Sequence, residues 1–262
     1  MSKENPNIIL QFVRHGDHDI SDKTRENKDL PLLDESKERI RVLKKTLVID
    51  SNTAVGYSGD NKRSIDTVKI LVDPEESKEI SDLERDYKIV TDHNLLYKMN
   101  ANFRAFKDYL GLPEEQKKLF KVVVEYSEAF KKETGYDFTS YADMCNVVAD
   151  YILRYVNILE KWEKVSFKYD TKSLFRIFCS NEYFYSSFRS KVEEVLFGEQ
   201  AREKYVTWYE NNFERNETRK YEEQSVTISR DKNNIISINL KDSYGEVSFS
   251  LEQLLMIKKD KE

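Results

Sequence analysis

The sequence predicts an α/β fold in which a parallel sheet is interrupted by a helical insertion, and three observations lead to this prediction. In the first third of the chain, short apolar runs alternate with segments of helical periodicity, as in strand–helix–strand units. From about residue 98 to residue 165, apolar residues recur at helical spacing throughout, and strand patterns resume afterwards. Glycine (7 residues) and proline (4 residues) are scarce, which favours helices over irregular loops. We therefore expect one domain, residues 1–262, with an insertion at about 98–165.

The first part of the chain supplies three strands and two helices. In order, the predicted elements are a strand at 7–13, a helix at 34–47, a strand at 53–57, a helix at 62–72 and a strand at 87–91. Asp34 precedes the first helical apolar residues and is a candidate N-cap. The second helix is expected to end before Pro74, because proline cannot continue a helix without losing a hydrogen bond.

The remainder of the chain predicts a helical middle and a return to the sheet. Three apolar helical stripes lie within the insertion, separated by loops near Leu112 and Gly135. The elements predicted after it are a buried strand at 174–179, helices at 183–197 and 199–213, and a hairpin of 225–229 with 235–240. The segment 244–257 has two interpretations, since it either caps the sheet edge or pairs with another chain.

Composition excludes several classes of function. The formal net charge of −5 leaves no basic footprint for nucleic acid. No run of 18 apolar residues indicates a membrane span, and the N-terminus lacks an apolar signal core. Cys145 and Cys179 are far apart without metal-ligand spacing, which predicts reduced, buried thiols in a cytoplasmic protein. We expect no metal and no cofactor, and the sequence leaves the oligomeric state open.

Arg14-His15-Gly16 directly follows the first predicted strand. The chain has three histidines, and two of them, His15 and His18, fall in this short segment. Arginine offers a planar fork of donors that suits phosphate oxygens, and a neutral imidazole is a nucleophile. By itself the tripeptide is equally consistent with an ordinary strand-to-loop turn.

A second arginine stands at the corresponding place after the second strand. Arg63 follows Ser58 by five residues and precedes Thr67 by four, in the first turn of the predicted helix. The carboxyl ends of parallel strands and the N-termini of the following helices are where α/β folds bind anions. A solvated helix charge is the alternative interpretation of Arg63.

Together these segments resemble the histidine phosphatase superfamily, also called phosphoglycerate mutase-like. The resemblance covers the first predicted strand through Leu71 and again Leu174 to about Phe197. It implies a three-layer α/β/α fold with a mostly parallel central sheet, phosphorylation of His15 during the reaction, and phosphate binding by Arg14 and Arg63. The implied partner is a small phosphorylated ligand or inorganic phosphate.

The chain departs from the family at the late strand. Asn181 stands where the family has a second histidine, and an asparagine donates a hydrogen bond to phosphate without carrying charge. The resemblance gives Glu182 as the candidate general acid, and Asp92 is the alternative. In a purely structural interpretation, Glu182 is a carboxylate at the start of a helix that interacts favourably with the helix dipole. His18 could bind phosphate in place of the missing charge, or lie exposed in a loop.

Three functions remain open at this stage. The first is hydrolysis of a phosphate monoester through a phosphohistidine at His15. The second is a catalytically impaired pseudophosphatase that binds a phosphorylated ligand or protein partner, and the third is a structural protein that inherited the fold. Arg14, His15 and Arg63 favour the first two, whereas Asn181 favours the second over the first.

Overall fold

The computed structural model groups the chain into two compact units, each built from several segments. It describes residues 6–17, 30–47, 49, 53–73, 75–76, 78–86, 88–95, 99–113, 120–162, 173–180, 183–212 and 224–258. The first unit, called the sheet unit, comprises residues 1–96, 152–181 and 221–251, and the second, called the helical unit, comprises the rest. The single domain of 1–262 with an insertion at about 98–165 stays a prediction.

In the described residues, the sheet unit contains seven strands, two α-helices that follow the first two strands, two shorter helical segments and the end of one longer helix. The strands are β1 (Asn7–Arg14), β2 (Val55–Ser58), β3 (Ile89–Thr91), β4 (Ser173–Ser180), β5 (Gln224–Arg230), β6 (Ile236–Asp242) and β7 (Gly245–Phe249). The helical segments are α1 (Asp34–Thr46), α2 (Lys62–Val72), α3 (Ile80–Arg85) and a 3-10 turn (His93–Leu95). α3 and the 3-10 turn were not predicted, because each is shorter than two helical periods and shows no clear apolar stripe.

Six further helices have residues in the helical unit, in the part of the chain that the structure describes. These are α4 (Met99–Tyr109), α5 (Phe120–Thr134), α6 (Tyr141–Glu160), α7 (Tyr183–Phe197), α8 (Glu199–Asn212) and α9 (Leu251–Lys258). Residues 152–160 of α6 belong to the sheet unit. Among the described residues, no helix is long and apolar enough to cross a membrane.

The sheet is mixed, with a parallel core. Its strand order is β3-β2-β4-β1-β5-β6-β7. The first four strands are parallel to one another, and β5, β6 and β7 follow in antiparallel pairing. The predicted α/β fold class is therefore confirmed. β7 lies beside β6 as the edge strand of the sheet. This arrangement corresponds to the first interpretation of residues 244–257, in which the segment caps the sheet edge.

Each face of the sheet in this unit is covered by helices. On one face, alternate residues of β4, including Ile177 and Cys179, pack against Ile40 of α1 and Val68 of α2. On the other face, the Tyr57 and Phe178 rings stack at 4.9 Å, and the Tyr155 hydroxyl of α6 donates to the Tyr57 hydroxyl at 2.9 Å. Because side chains alternate across a strand, β4 supplies apolar contacts to both layers.

Strand register brings the carboxyl ends of the parallel strands to one edge of the sheet. Arg14 at the end of β1 pairs with Ser180 at the end of β4. Ser58 at the end of β2 pairs with Cys179 on one side and with Thr91 at the end of β3 on the other. Neighbouring strands lie about 4.8 Å apart, so the loops that follow these strands begin close together.

The helix starts differ from prediction at one point. Asp34 is not the N-cap of α1: Leu33 occupies that position without a side-chain hydrogen bond. Asp34 lies in the first helical turn, where its carboxylate accepts a hydrogen bond from Lys37 at 2.7 Å and its charge interacts favourably with the helix dipole. At α2 the cap is a side chain, since Asn61 accepts a hydrogen bond from the Ser64 amide at 2.9 Å.

Candidate functional site

The loop after β1 is held by three other elements through its backbone amides. The His15 amide donates to the Ser180 carbonyl of β4 at 3.3 Å. The Gly16 amide donates to Thr67 Oγ1 of α2 at 3.2 Å, and the Asp17 amide donates to Ser36 Oγ of α1 at 3.0 Å. Because all three amides are engaged within the protein, the side chains of this loop are its candidate ligands for an anion.

Gly16 occupies a space that admits no side chain. A Cβ atom at Gly16 would lie 2.8 Å from Leu32 Cδ2, 2.9 Å from Ser36 Cβ and 3.2 Å from Ile40 Cδ1. The first two separations are shorter than real Cβ contacts, so a larger residue would displace the loop or α1. The glycine of the tripeptide is therefore explained by the close approach of α1.

The His15 ring is oriented by the main chain of its own loop. Its Nδ1 atom lies 3.1 Å from the Gly16 carbonyl oxygen. A carbonyl oxygen can only accept a hydrogen bond, so this contact requires the proton to be on Nδ1 in the neutral ring. Nε2 then carries the lone pair, which is the protonation state that a nucleophilic histidine needs.

Arg63 is a buried cation at the beginning of α2. Its exposed fraction is 7%, and it lies in the first turn behind the Asn61 cap. Burial lowers the pKa of Arg63 below its ordinary value, and repulsion from the Arg14 guanidinium lowers it further. Since arginine stays protonated at neutral pH, the two guanidinium groups form a local positive site in an acidic protein.

Arg14 is partly exposed and has an internal carboxylate nearby. Its side chain is 19% exposed, and its Nη2 atom lies 3.8 Å from Asp17 Oδ1. At this distance and exposure the ion pair is weak. A phosphate oxygen could therefore compete with Asp17 for the Arg14 guanidinium.

The buried thiol beside the site is protonated. Cys179 is fully buried at the end of β4, and burial raises its pKa to about 12. The nearby Ser64 and Thr67 hydroxyl groups and the charge of Arg63 lower this pKa by smaller amounts. Because the free thiol is neutral at physiological pH, it adds no negative charge to the arginine pair. This finding agrees with the prediction of a buried cysteine.

The turn after β3 reaches back over the neighbouring strand ends. The Asp92 amide donates to the Ser58 carbonyl at 2.8 Å, and Ser180 Oγ donates to the Leu95 carbonyl at 2.8 Å. The Asp92 carboxylate accepts a hydrogen bond from the Asn94 amide at 2.9 Å, so it caps the 3-10 turn. His93 on this turn is mostly exposed and lies 3.8 Å from the Asp60 carboxylate.

The predicted site residues thus fall into two groups. Arg14, His15 and Arg63 lie at the same edge of the sheet unit, joined by the contacts of the β1 loop. His18, Asn181 and Glu182 lie outside the described residues. The described residues contain no cluster of three or more His, Cys, Asp or Glu side chains that could hold a metal ion.

Sequence reasoning missed the residues that hold the loop. Thr67, Ser36 and Ser180 are small hydroxyl residues that are each 5% exposed or less. Thr67 had a signal in its spacing of four residues after Arg63, one helical turn away. Ser36 and Ser180 had none, because their contacts depend on tertiary packing.

Comparison with solved structures finds similar folds over nearly the whole chain at low identity. A phosphoglycerate mutase from Bacillus anthracis is 14% identical, with 98% of each chain covered and a TM-score of 0.43. A mycobacterial hydrolase is 12% identical, with 96% of each chain covered and a TM-score of 0.47. Mycobacterial glucosyl-3-phosphoglycerate phosphatase is 12% identical over 90% of this chain and 97% of its own, with a TM-score of 0.43.

These similarities do not by themselves indicate an activity for this chain. The mycobacterial phosphatase has also been solved in complex with inorganic phosphate, at 12% identity and a TM-score of 0.42. No protein-family model matches the sequence. No curated protein matches it either.

Proposed function

We propose that this chain is a histidine phosphatase-like phosphomonoesterase in which His15 is the nucleophile and Arg14 and Arg63 bind the phosphoryl group. One observation carries the proposal: Arg14 ends the strand from which the His15 loop begins, and Arg63 lies on the helix that holds this loop through Thr67. A planar guanidinium donates paired hydrogen bonds that fit phosphate oxygens. A phosphate dianion matches the charge of the two guanidinium groups.

The proposed reaction proceeds in two phosphoryl transfers. In the first, the Nε2 lone pair of neutral His15 bonds to phosphorus while the P–O bond to the leaving group breaks, and that oxygen takes a proton from a general acid. In the second, water attacks phosphorus and the P–N bond breaks. The proton of the attacking water returns to the carboxylate of the acid, which releases inorganic phosphate and restores His15.

Glu182 is the proposed general acid, with Asp92 as the alternative. The hydrogen bond from the Asn94 amide commits one oxygen of the Asp92 carboxylate to capping the 3-10 turn. A protonated acid would give up that capping bond in part, because the amide prefers a charged acceptor. This contact favours Glu182 for proton donation.

The first test is turnover of p-nitrophenyl phosphate together with orthovanadate binding. His15→Ala should abolish turnover, and Arg63→Gln should lower it by about 10²–10³-fold, since it removes a fixed charge from the transferring group. His93→Ala is the matched control, because that ring is 82% exposed and pairs with Asp60. Turnover that survives in His15→Ala would remove His15 as the nucleophile.

A second function is favoured by Asn181. If the neutral amide cannot replace the charge of a histidine, the chain is a pseudophosphatase that binds a phosphorylated ligand without efficient turnover. Wild-type protein would then bind orthovanadate but hydrolyse the aryl phosphate at a rate near background. In that case Asn181→His should raise turnover, and an unchanged rate would argue against this role for Asn181.

A further inference from the structure

We infer that Thr67 is a positioning residue that sets the location of the His15 ring relative to Arg63. The inference rests on the proposed function and adds to it a residue that touches neither phosphate nor the reacting atoms. It is based on the Thr67 hydroxyl, which forms hydrogen bonds both to the His15 loop and to the backbone of Arg63. Thr67 lies on α2, one turn after Arg63, and its exposed fraction is 1%.

The hydroxyl of Thr67 bridges two backbone groups. Thr67 Oγ1 accepts a hydrogen bond from the Gly16 amide at 3.2 Å and donates one to the Arg63 carbonyl at 2.7 Å. A hydroxyl has one proton to donate and two lone pairs that accept, so both contacts form at once. The Gly16 contact spans 51 residues of sequence, whereas the Arg63 contact lies within one helix.

This bridge acts on the catalytic groups through Gly16. The carbonyl of Gly16 accepts from His15 Nδ1, and the amide of Gly16 donates to Thr67. A shift of Gly16 therefore moves the group that orients the imidazole and fixes its tautomer. Since the same hydroxyl also holds the carbonyl of Arg63, Thr67 links the ring to the turn that carries the guanidinium.

A valine at position 67 would keep the branched shape and remove the bridge. The Gly16 amide would lose its acceptor in a buried place, and such an amide either moves to a new partner or destabilises the loop. The loss should appear in both ligand affinity and rate, because a misplacement of about 1 Å can cost on the order of 100-fold in rate. Serine keeps the hydroxyl and should restore the contact.

The experiment compares Thr67→Val with Thr67→Ser and with a matched control. Thr134→Val is that control, since Thr134 Oγ1 donates to the Phe130 carbonyl four residues earlier and Thr134 lies in the helical unit. Orthovanadate binding is measured by calorimetry, and turnover of p-nitrophenyl phosphate is measured across pH. We expect Thr67→Val to bind vanadate at least about tenfold more weakly. Thr67→Ser and Thr134→Val should stay within about threefold of wild type.

A glycine-labelled NMR spectrum gives a readout that needs no activity. The chain has 7 glycines, so ¹⁵N-glycine labelling yields a sparse spectrum in which Gly16→Ala assigns the Gly16 amide. Thr67→Val should move that resonance while leaving the glycines outside the sheet unit in place, which also shows that the variant is folded. If Thr67→Val does not fold, Thr67→Ala serves the same comparison, because it removes the hydroxyl without placing a methyl group against the Gly16 amide and the Arg63 carbonyl.

The outcomes separate this inference from the proposed function. A folded Thr67→Val protein with wild-type vanadate affinity, wild-type pH profile and an unmoved Gly16 resonance would overturn the role of Thr67 and leave the phosphatase proposal standing. If wild-type protein binds no vanadate and His15→Ala changes no turnover, both proposals fail. Weak binding in Thr67→Val that Thr67→Ser restores supports the positioning role.

Discussion

Gly16 shows at the scale of one residue why the sequence of the His15 loop is restricted. Leu32, Ser36 and Ile40 approach from α1 and the segment before it, and they leave no room for a Cβ atom. The restriction at Gly16 is steric. The loop cannot easily move away from α1, because its amides are hydrogen-bonded to β4, α1 and α2. A residue that cannot be enlarged beside the proposed nucleophile connects the packing of α1 to the position of His15.

We predict that Gly16→Ala destabilises the sheet unit by roughly 1–3 kcal/mol and weakens orthovanadate binding at least about tenfold. The added methyl group must push against Ser36 Cβ at 2.9 Å, which moves the loop that carries His15. Urea unfolding and calorimetry measure the two effects.

Gly111→Ala provides the contrast for this prediction. Gly111 has a φ of +63° and nothing within 4 Å of an added Cβ, so its substitution strains the backbone without a steric clash. It should cost about 1 kcal/mol and leave vanadate affinity unchanged. Equal vanadate affinities in Gly16→Ala and wild type would contradict the steric explanation of Gly16.

At the scale of elements, the site depends on how closely α2 approaches β2. A Cβ atom at Gly56 would lie 2.0 Å from Val68 Cγ1, and relieving this clash requires the Val68 side chain or the helix to move. Val68 is fully buried in the core between α2 and the sheet. Because Arg63 and Thr67 are on the same helix, such a shift would also move both site residues.

We predict that Gly56→Ala costs roughly 3 kcal/mol of stability or more, since it overpacks a closed core. Val68→Ala alone should cost about 1.5–3 kcal/mol through lost burial. The double variant should be more stable than the sum of the two costs predicts, because the smaller residue on α2 makes room for the methyl group on β2. Urea unfolding of all four proteins completes the cycle, and additive costs would show that the two residues do not share the space.

Sequence periodicity was sufficient for the elements that build the site and insufficient for the contacts that assemble it. The helix 62–72 and the helix 183–197 were predicted with the bounds that the structure has, because each combines a clear apolar stripe with a definite start or stop. The N-cap of α1 was predicted wrongly, since an acidic residue serves equally well in the first turn. The strand order was beyond the sequence, because β4 inserts between β1 and β2 after a long excursion.

At the scale of the whole molecule, two tryptophans allow the two units to be followed separately. The chain has 2 tryptophans: Trp162 lies in the segment that belongs to the sheet unit, and Trp208 lies in the helical unit. Trp208→Phe therefore leaves a reporter for the sheet unit, and Trp162→Phe leaves one for the helical unit. Tryptophan emission changes when a buried ring becomes exposed on unfolding.

We predict that orthovanadate stabilises the unit that carries Trp162. A ligand that binds only the folded state adds about 2.7 kcal/mol at 100 times its dissociation constant, which corresponds to a rise of about 5–10 °C in Tm for a chain of this size. Thermal unfolding of Trp208→Phe with and without vanadate measures the shift. Adding Arg63→Gln to this variant should remove most of the rise in Tm that vanadate causes. An undiminished rise in Tm in the double variant would contradict vanadate binding by Arg63.

The three amide contacts of the β1 loop also bear on when the site comes into existence. Ser180, Thr67 and Ser36 lie on β4, α2 and α1, so the loop is complete only after three separate elements have docked. Closing contacts across long stretches of sequence is slow compared with forming a helix. Oxyanion binding should therefore appear at the end of refolding, after the recovery of helical circular dichroism, which would make vanadate a probe of the final assembly step.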